Sequence, residues 1–163
     1  IVRRLVGSEM CIRDSAYALI ELVADETIAA LCAEAIGAMS VLNETTVEYC
    51  KTRKQFGQPI GKFQVLQHRM VDMFMQYEQS VSMTYMVNLK LEEEDVERSK
   101  AASGAKVQIC NAAKFIGQSA VQLHGGMGMT DELNVGHYFK RLSMIETQLG
   151  NADHHLKKYS LAS

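Results

Sequence analysis

The sequence predicts an all-α fold, an antiparallel up-and-down four-helix bundle, and three observations predict it. Apolar residues recur at three- and four-residue steps through three long segments, which gathers them on one face of a helix. Strand-period alternation persists nowhere after residue 24. One proline interrupts the 163 residues, while ten methionines and many alanines favour helix because such side chains lose little rotamer freedom there. Short connections between long helices then leave antiparallel packing as the natural arrangement.

The elements follow in chain order. Residues 1–15 read as a foreign, non-native extension. They resemble translated adapter sequence and lack the apolar core of a signal peptide, with Arg, Glu and Asp throughout. The chain opens on Ile1 and is expected to be a fragment of a longer protein, with the domain itself spanning 16–163. A first helix is expected from about Asp25 to Thr52, with Ile28, Leu31, Ala35, Met39, Leu42, Thr46 and Tyr49 on its apolar face. Gly57, Pro59 and Gly61 make the stretch from Arg53 to Gly61 a turn. A second helix is expected from Lys62 to about Glu93, with the stripe Phe63, Leu66, Met70, Met73, Tyr77, Val81 and Thr84. The acidic run Glu92–Asp95 suits a solvated connection, and Asp95 and Glu97 favour the N-terminus of a third helix, over about Ser99 to Leu123. That helix shows a narrow face of Ala102, Ala105, Ile109, Ala112, Ile116, Ala120 and Leu123, small enough for close approach. A fourth helix from about Asp131 to Thr147 and a short last one from Ala152 to Ser160 complete the reading.

Bulk properties bound the function. Hydrophobic content of 47% with 22% charged residues describes a soluble globular chain rather than a disordered one. A net charge of -2 without a basic run gives no footprint for nucleic acid or an anionic membrane. No apolar run is long enough to span a bilayer. Cys11, Cys32, Cys50 and Cys110 form neither a C-x-x-C pair nor a metal-ligand spacing with His. They read as reduced, mostly buried thiols of a cytoplasmic protein, and no metal site is expected.

Two segments are unusual for a plain bundle. Arg53-Lys54-Gln55-Phe56-Gly57-Gln58-Pro59-Ile60 follows a helix end, where its cations suit the negative pole; taken alone it reads equally as capping plus a turn. Gln122-Leu123-His124-Gly125-Gly126-Met127-Gly128 holds three glycines in four residues. Bare backbone of this kind can approach phosphate oxygens, though without a preceding strand it is no Rossmann fingerprint, and alone it reads as a sharp interhelical turn.

Taken together, in this order and spacing, and with Phe63-Gln64 between them, the two segments resemble the acyl-CoA dehydrogenase family from about residue 16 to the end. The resemblance implies the C-terminal helical domain of an FAD-dependent enzyme that desaturates an acyl-CoA thioester and assembles as a homo- or hetero-oligomer, a tetramer. It further implies electron-transfer flavoprotein as the acceptor. By position, Arg53 would reach the FAD diphosphate of a neighbouring subunit, a role suited to a planar guanidinium. Gln55 and Phe56 would line the adenosine half, Phe63 and Gln64 would form a further contact pair, and the loop from Gln122 through Gly125 and Gly126 would touch the same cofactor. The rest of the flavin site and the acyl-CoA site would lie in N-terminal domains, so these residues alone are not expected to catalyse.

The family's carboxylate base has no counterpart here. In its commonest arrangement it precedes a Gly-Thr pair after the short fourth helix; here the stretch is Gln148-Leu149-Gly150-Asn151-Ala152-Asp153, with Leu149 or Gly150 in the place of the base. In the isovaleryl-type arrangement the place falls near Thr27, and Glu26 beside it points about 100° away. The catalytic residue is therefore unassigned. The ending looks similar to the small subunit of pimeloyl-CoA dehydrogenase-type enzymes, which implies a subunit lacking the base within a heteromer. Two alternatives stand beside this reading: an acyl-CoA oxidase domain, and a non-catalytic helical interaction or oligomerisation module.

Overall fold

The computed structural model describes the backbone of residues 2–162 and the side chains of residues 16–162. The side chains of residues 1–15, on which the reading of a foreign extension rests, lie outside the described residues. Helix α1 spans Val2–Thr52, and strands β1 (Lys54–Gln55) and β2 (Gln58–Pro59) form a small hairpin after it. A 3-10 turn over Ile60–Lys62 leads into α2 (Gln64–Leu89). Helix α3 (Asp95–His124) ends in a second 3-10 turn, Gly125–Met129, before α4 (Val135–Thr147) and α5 (Ala152–Leu161). No helix among the described residues is long and apolar enough to cross a membrane.

Cross-helix pairs give the packing directions. Asn43 and Val47 of α1 share a cleft with Met70 and Phe74 of α2, and Ala33 and Ile36 share another with Val81 and Tyr85. Rising numbers meet falling ones, so α1 and α2 are antiparallel. Gln108 donates to the side-chain oxygen of Gln76 at 3.2 Å, which places α3 alongside α2. Helices α1 and α3 run parallel: Asp25 meets Arg98, 73 positions on, and Tyr49 meets His124, 75 positions on. The near-constant offset is the parallel register. Helix α4 returns against α3, with Phe139 beside Gly117 and Ile145 beside Lys106. This is the up-and-down four-helix bundle, with α5 added along α3.

The expected stripes of α1 and α2 lie on the core side. Helix α3 departs from the narrow face expected of it. Ala101, Ser103, Lys106, Cys110, Ala113, Gly117 and Ser119 are buried too, so α3 is the central helix and is covered on nearly every side. Its Ala, Ser and Gly residues let four neighbours approach closely. At Gly117 a β-carbon would sit 2.8 Å from the Phe139 ring. Other corrections concern boundaries. Helix α2 stops at Leu89, leaving the acidic run in a turn, and α3 starts at Asp95, with Asp95 and Glu97 in its first turn as expected. Helix α4 begins at Val135, not Asp131, because the glycine-rich 3-10 turn and the turn after it carry the chain that far. The stretch after Arg53 holds a two-stranded ladder where only a turn was expected.

Buried charge sets the register of the bundle. Asp25 is fully buried against Arg98 (3.3 Å) and Lys158 (3.7 Å), and Arg98 also pairs with Asp95 at 2.8 Å. Burial nevertheless pushes the Asp25 carboxyl above its usual range despite both cations. Desolvation thus exceeds the Coulombic gain, and the network contributes position more than net stability. Glu34 and Arg141 tie α1 to α4 through two hydrogen bonds at the surface, where solvent screens the pair. Cys32, Cys50 and Cys110 are free and buried, as expected, and burial pushes the Cys32 thiol up to about 12. No group of His, Cys, Asp and Glu among the described residues could hold a metal ion.

The α4–α5 junction is held from α3. Lys106, wholly buried, donates its ammonium to the Ile145 carbonyl in the last turn of α4, where unpaired carbonyls favour a cation. The His155 ring lies 3.3 Å from the Ser103 hydroxyl and 2.9 Å from the Leu149 carbonyl. Asn151 caps α5 by accepting from the His154 N–H at 3.0 Å, a contact worth about 1 kcal/mol. Burial pushes the His155 imidazole below the ordinary histidine range, opposed by the Leu149 carbonyl and reinforced by His154, Lys106 and Lys158. Between that depressed value and the unfolded one, about 6.5, the unfolded chain binds more protons. Stability present above this window is therefore lost as pH falls through it. Thermal denaturation at about pH 7.5 and about pH 5.5 should show a lower midpoint at the acidic value, and His155→Gln should shrink the difference. An equal drop in both proteins would mean that His155 contributes nothing to it.

Candidate functional site

The parallel register of α1 and α3 brings their C-terminal ends to one end of the bundle. The hairpin after α1 and the glycine turn after α3 then face each other across a cleft of about 360 Å³. Arg53, Gln55 and Ile60 line one side, and Gln122, Leu123, His124, Gly125, Gly126 and Met127 the other, with Tyr49 completing the lining. Five of the eight cofactor-binding residues expected from the sequence, Arg53, Gln55, Gln122, Gly125 and Gly126, meet here. Phe56, Phe63 and Gln64 do not line the cleft. Phe56 sits at the hairpin tip, 90% exposed, edge-on to Phe63 with ring centres 6.1 Å apart. Gln64 is exposed at the first position of α2.

Local chemistry explains the hairpin. Gln55 pairs with Gln58, leaving Phe56 and Gly57 as a two-residue loop with φ of 54° and 79°. Two positive values match the twist of the flanking strands, but the position favours Asn or Gly, and an aromatic residue there is strained. The Arg53 N–H donates to the Tyr49 carbonyl (2.8 Å) and its own carbonyl accepts from Ile60 (2.8 Å), which fixes the backbone at both sides of the hairpin. The Arg53 side chain is exposed and has no hydrogen-bond or ion-pair partner among the described residues.

The glycine turn shows a structural reason for glycine at two of its three positions. Gly125 has φ of 59° and ψ of -137°, backbone that only glycine adopts readily. Gly128 packs on α3, where a β-carbon would lie 2.8 Å from the Val121 carbonyl oxygen. Gly126 has neither constraint: its φ is ordinary and a β-carbon there would meet nothing within 4 Å. The chain's own packing gives no reason for the missing side chain at 126.

The electrostatics of the cleft hang on one residue. No carboxylate lines it. Both α1 and α3 present their carbonyl ends, and each helix pole disfavours an anion by about 0.3–1 kcal/mol. A charge-assisted hydrogen bond from a guanidinium is worth about 1.5–3 kcal/mol, enough to reverse the balance. With Arg53 the cleft accepts an anion; without it the two helix ends repel one.

The sequence reading overlooked Tyr49 as a cleft residue and placed His124 only as a member of the Gln122–Gly126 loop. Tyr49 appeared only as the last member of the α1 stripe, although it lies one helical turn before Arg53 and so shares its face. Neither residue expected in the place of the family's base is a carboxylate: Leu149 has φ of 57°, and a β-carbon on Gly150 would fall 2.7 Å from the His154 ring. Thr27 is spent on a hydrogen bond to the Val23 carbonyl (2.6 Å), and Glu26 is exposed. His154 is exposed and His155 is a structural, buried ring.

Comparison with known proteins agrees with this arrangement. The profile of the family described as Acyl-CoA dehydrogenase, C-terminal domain, matches residues 21–158. Acyl-CoA dehydrogenase IpdE2 of Mycolicibacterium smegmatis is 33% identical over 136 residues, covering 83% of this chain and 42% of its own length. Among solved structures, a variant of the Tcur3481–Tcur3483 steroid ACAD superposes with a TM-score of 0.81 at 28% identity, over 85% of this chain and 38% of that one. PigA with FAD and proline gives 0.78 at 28% identity, over 85% and 36%. The chain therefore spans about two fifths of the length of the proteins it matches. With a matched profile over most of its length and the same helical architecture, the chain belongs to the acyl-CoA dehydrogenase family and carries that family's C-terminal domain.

Proposed function

We propose that this chain supplies the diphosphate-binding wall of an FAD site shared between protomers of an acyl-CoA dehydrogenase. The observation that carries the reading is the pairing, in one cleft, of an unpartnered Arg53 with a glycine at 126 whose missing side chain the fold itself does not require. The residues present fit the group. A guanidinium faces an anion with charge assistance, bare backbone opposite it admits close approach, and exposed Phe56 offers an apolar ring face beside the cleft. Gln55, Phe63 and Gln64 are the further cofactor contacts. FAD, when bound, supplies the hydride acceptor for α,β-desaturation of an acyl-CoA thioester, with electron-transfer flavoprotein drawing off the electrons. This chain's own part is to hold the nucleotide half and to bury it at a subunit boundary. A purely structural module would have no use for an unpaired cation across from an unexplained glycine.

The lack of a carboxylate at Leu149 and Gly150 supports a finer reading: the chain is the base-lacking subunit of a mixed tetramer, and a second kind of subunit supplies the carboxylate. Leu149 has no proton to exchange, and Gly150 has no room for a side chain that could.

Three measurements check these readings. In the assembled enzyme, Arg53→Ala should raise the Kd for FAD roughly 10- to 100-fold, as expected for a lost charge-assisted hydrogen bond, while the melting temperature of the apoprotein stays put. Unchanged flavin affinity would remove the reading. Gly126→Ala should leave folding stability equal or up to about 1 kcal/mol higher, through a less flexible unfolded chain, yet weaken FAD retention. Were it to lose stability and retain FAD, the glycine would be structural. Native mass spectrometry of the active enzyme should find two subunit types; full activity from this polypeptide as a homo-oligomer contradicts the base-lacking assignment.

A further inference from the structure

Tyr49, outside the expected site, and His124, within its Gln122–Gly126 loop, tie the two halves together. Tyr49 lies in the last turns of α1, four residues before Arg53, and His124 is the last residue of α3, next to Gly125. Their ring centres are 4.4 Å apart with planes tilted by 30°. The Tyr49 hydroxyl donates to the His124 carbonyl oxygen at 3.3 Å, across 75 residues of chain. On the α1 side, the Tyr49 carbonyl accepts the Arg53 N–H at 2.8 Å, so one residue grips both arms of the cleft. On the α3 side, the His124 Nδ1–H donates to the Ala120 carbonyl at 2.8 Å, which locks the ring in place.

The clasp is built in a form that folding alone does not favour. His124 is 2% exposed, and with Nδ1 engaged its Nε2 is buried without a partner. An unpaired buried nitrogen is unfavourable, and a plain phenyl ring would fill the same space without it. Both residues belong to the cleft lining beside Arg53 and Gln122.

We infer that Tyr49 and His124 are positioning residues for the nucleotide site: their stacked, hydrogen-bonded clasp sets the gap between the Arg53 arm and the Gly125–Gly126 arm. This rests on the reading of the cleft as the diphosphate wall. Preorganised spacing matters because two groups that grip one ligand lose affinity when either must be drawn in from a wider ensemble. The clasp touches the ligand site through the backbone positions it fixes, not through a charge of its own.

The test is fluorescence titration of FAD into the apoprotein of the assembled enzyme, with the melting temperature recorded for each variant. Tyr49→Phe keeps the ring and deletes the hydroxyl; its Kd should rise about five-fold, as for one neutral hydrogen bond, with little change in melting temperature. Tyr49→Leu deletes the stacking as well and should exceed ten-fold. His124→Phe keeps the ring but loses the Nδ1–Ala120 anchor, so its Kd should rise, and His124→Ala, which loses the ring as well, should raise it further. Wild-type affinity in both Tyr49 variants, alongside a weakened Arg53→Ala, would overturn the clasp and leave the site reading intact. Wild-type affinity in Arg53→Ala would overturn the site reading itself. If Tyr49→Leu fails to fold, Tyr49→Phe decides alone.

Discussion

The parallel register of α1 and α3 is the constraint on which the rest of the structure depends. Two helices joined through an intervening antiparallel one are locked to each other at both ends, by Asp25–Arg98 at one and Tyr49–His124 at the other. A slip of one residue would move a helix end by about 1.5 Å and turn it by about 100°. It would also strand the Asp25 carboxylate in the core without its cation, which is strongly unfavourable. The register is therefore stiff, and it brings the hairpin after α1 and the glycine turn after α3 to the same place.

This makes the site a product of topology rather than of any one segment. The hairpin alone would be a strained turn beside a helix end. The glycine turn alone would be a sharp interhelical connection. Only when α1 and α3 end together do a guanidinium and a bare backbone face the same volume. The central position of α3 serves the same purpose, since its Ala, Ser and Gly surface is packed so closely that even a β-carbon added at Gly117 would sit 2.8 Å from the Phe139 ring. At the other end of the bundle, Lys106 and His155 hold the α4–α5 junction from α3.

Much of the fold was legible because the periodic stripes of α1 and α2 are strong and few residues oppose them. What was not legible has a physical cause in each case. The burial of α3 on nearly all sides was hidden because Ala, Ser and Gly look neutral in a sequence and give no stripe. The burial of Lys106 and Asp25 left no mark in the sequence, since it depends on partners dozens of residues away. The ladder at Lys54–Pro59 was missed because Phe56 stands where a two-residue hairpin favours Asn or Gly. The start of α4 was placed early because Asp131 and Glu132 look like first-turn acids. At the site, the motifs pointed to Arg53 and the glycines, but their meeting, and the part played by Tyr49, needed the register of two distant helices.

The central claim, that Arg53 and the Gly125–Gly126 backbone together hold the diphosphate of a neighbour's flavin nucleotide, is tested most directly by an experimental structure of the assembled enzyme with FAD bound. The account predicts phosphate oxygens within hydrogen-bonding distance of the Arg53 guanidinium and against the Gly126 backbone, with the isoalloxazine ring seated in another protomer. A diphosphate bound on some other surface, with the Arg53 cleft facing solvent or an unrelated part of the assembly, would contradict it.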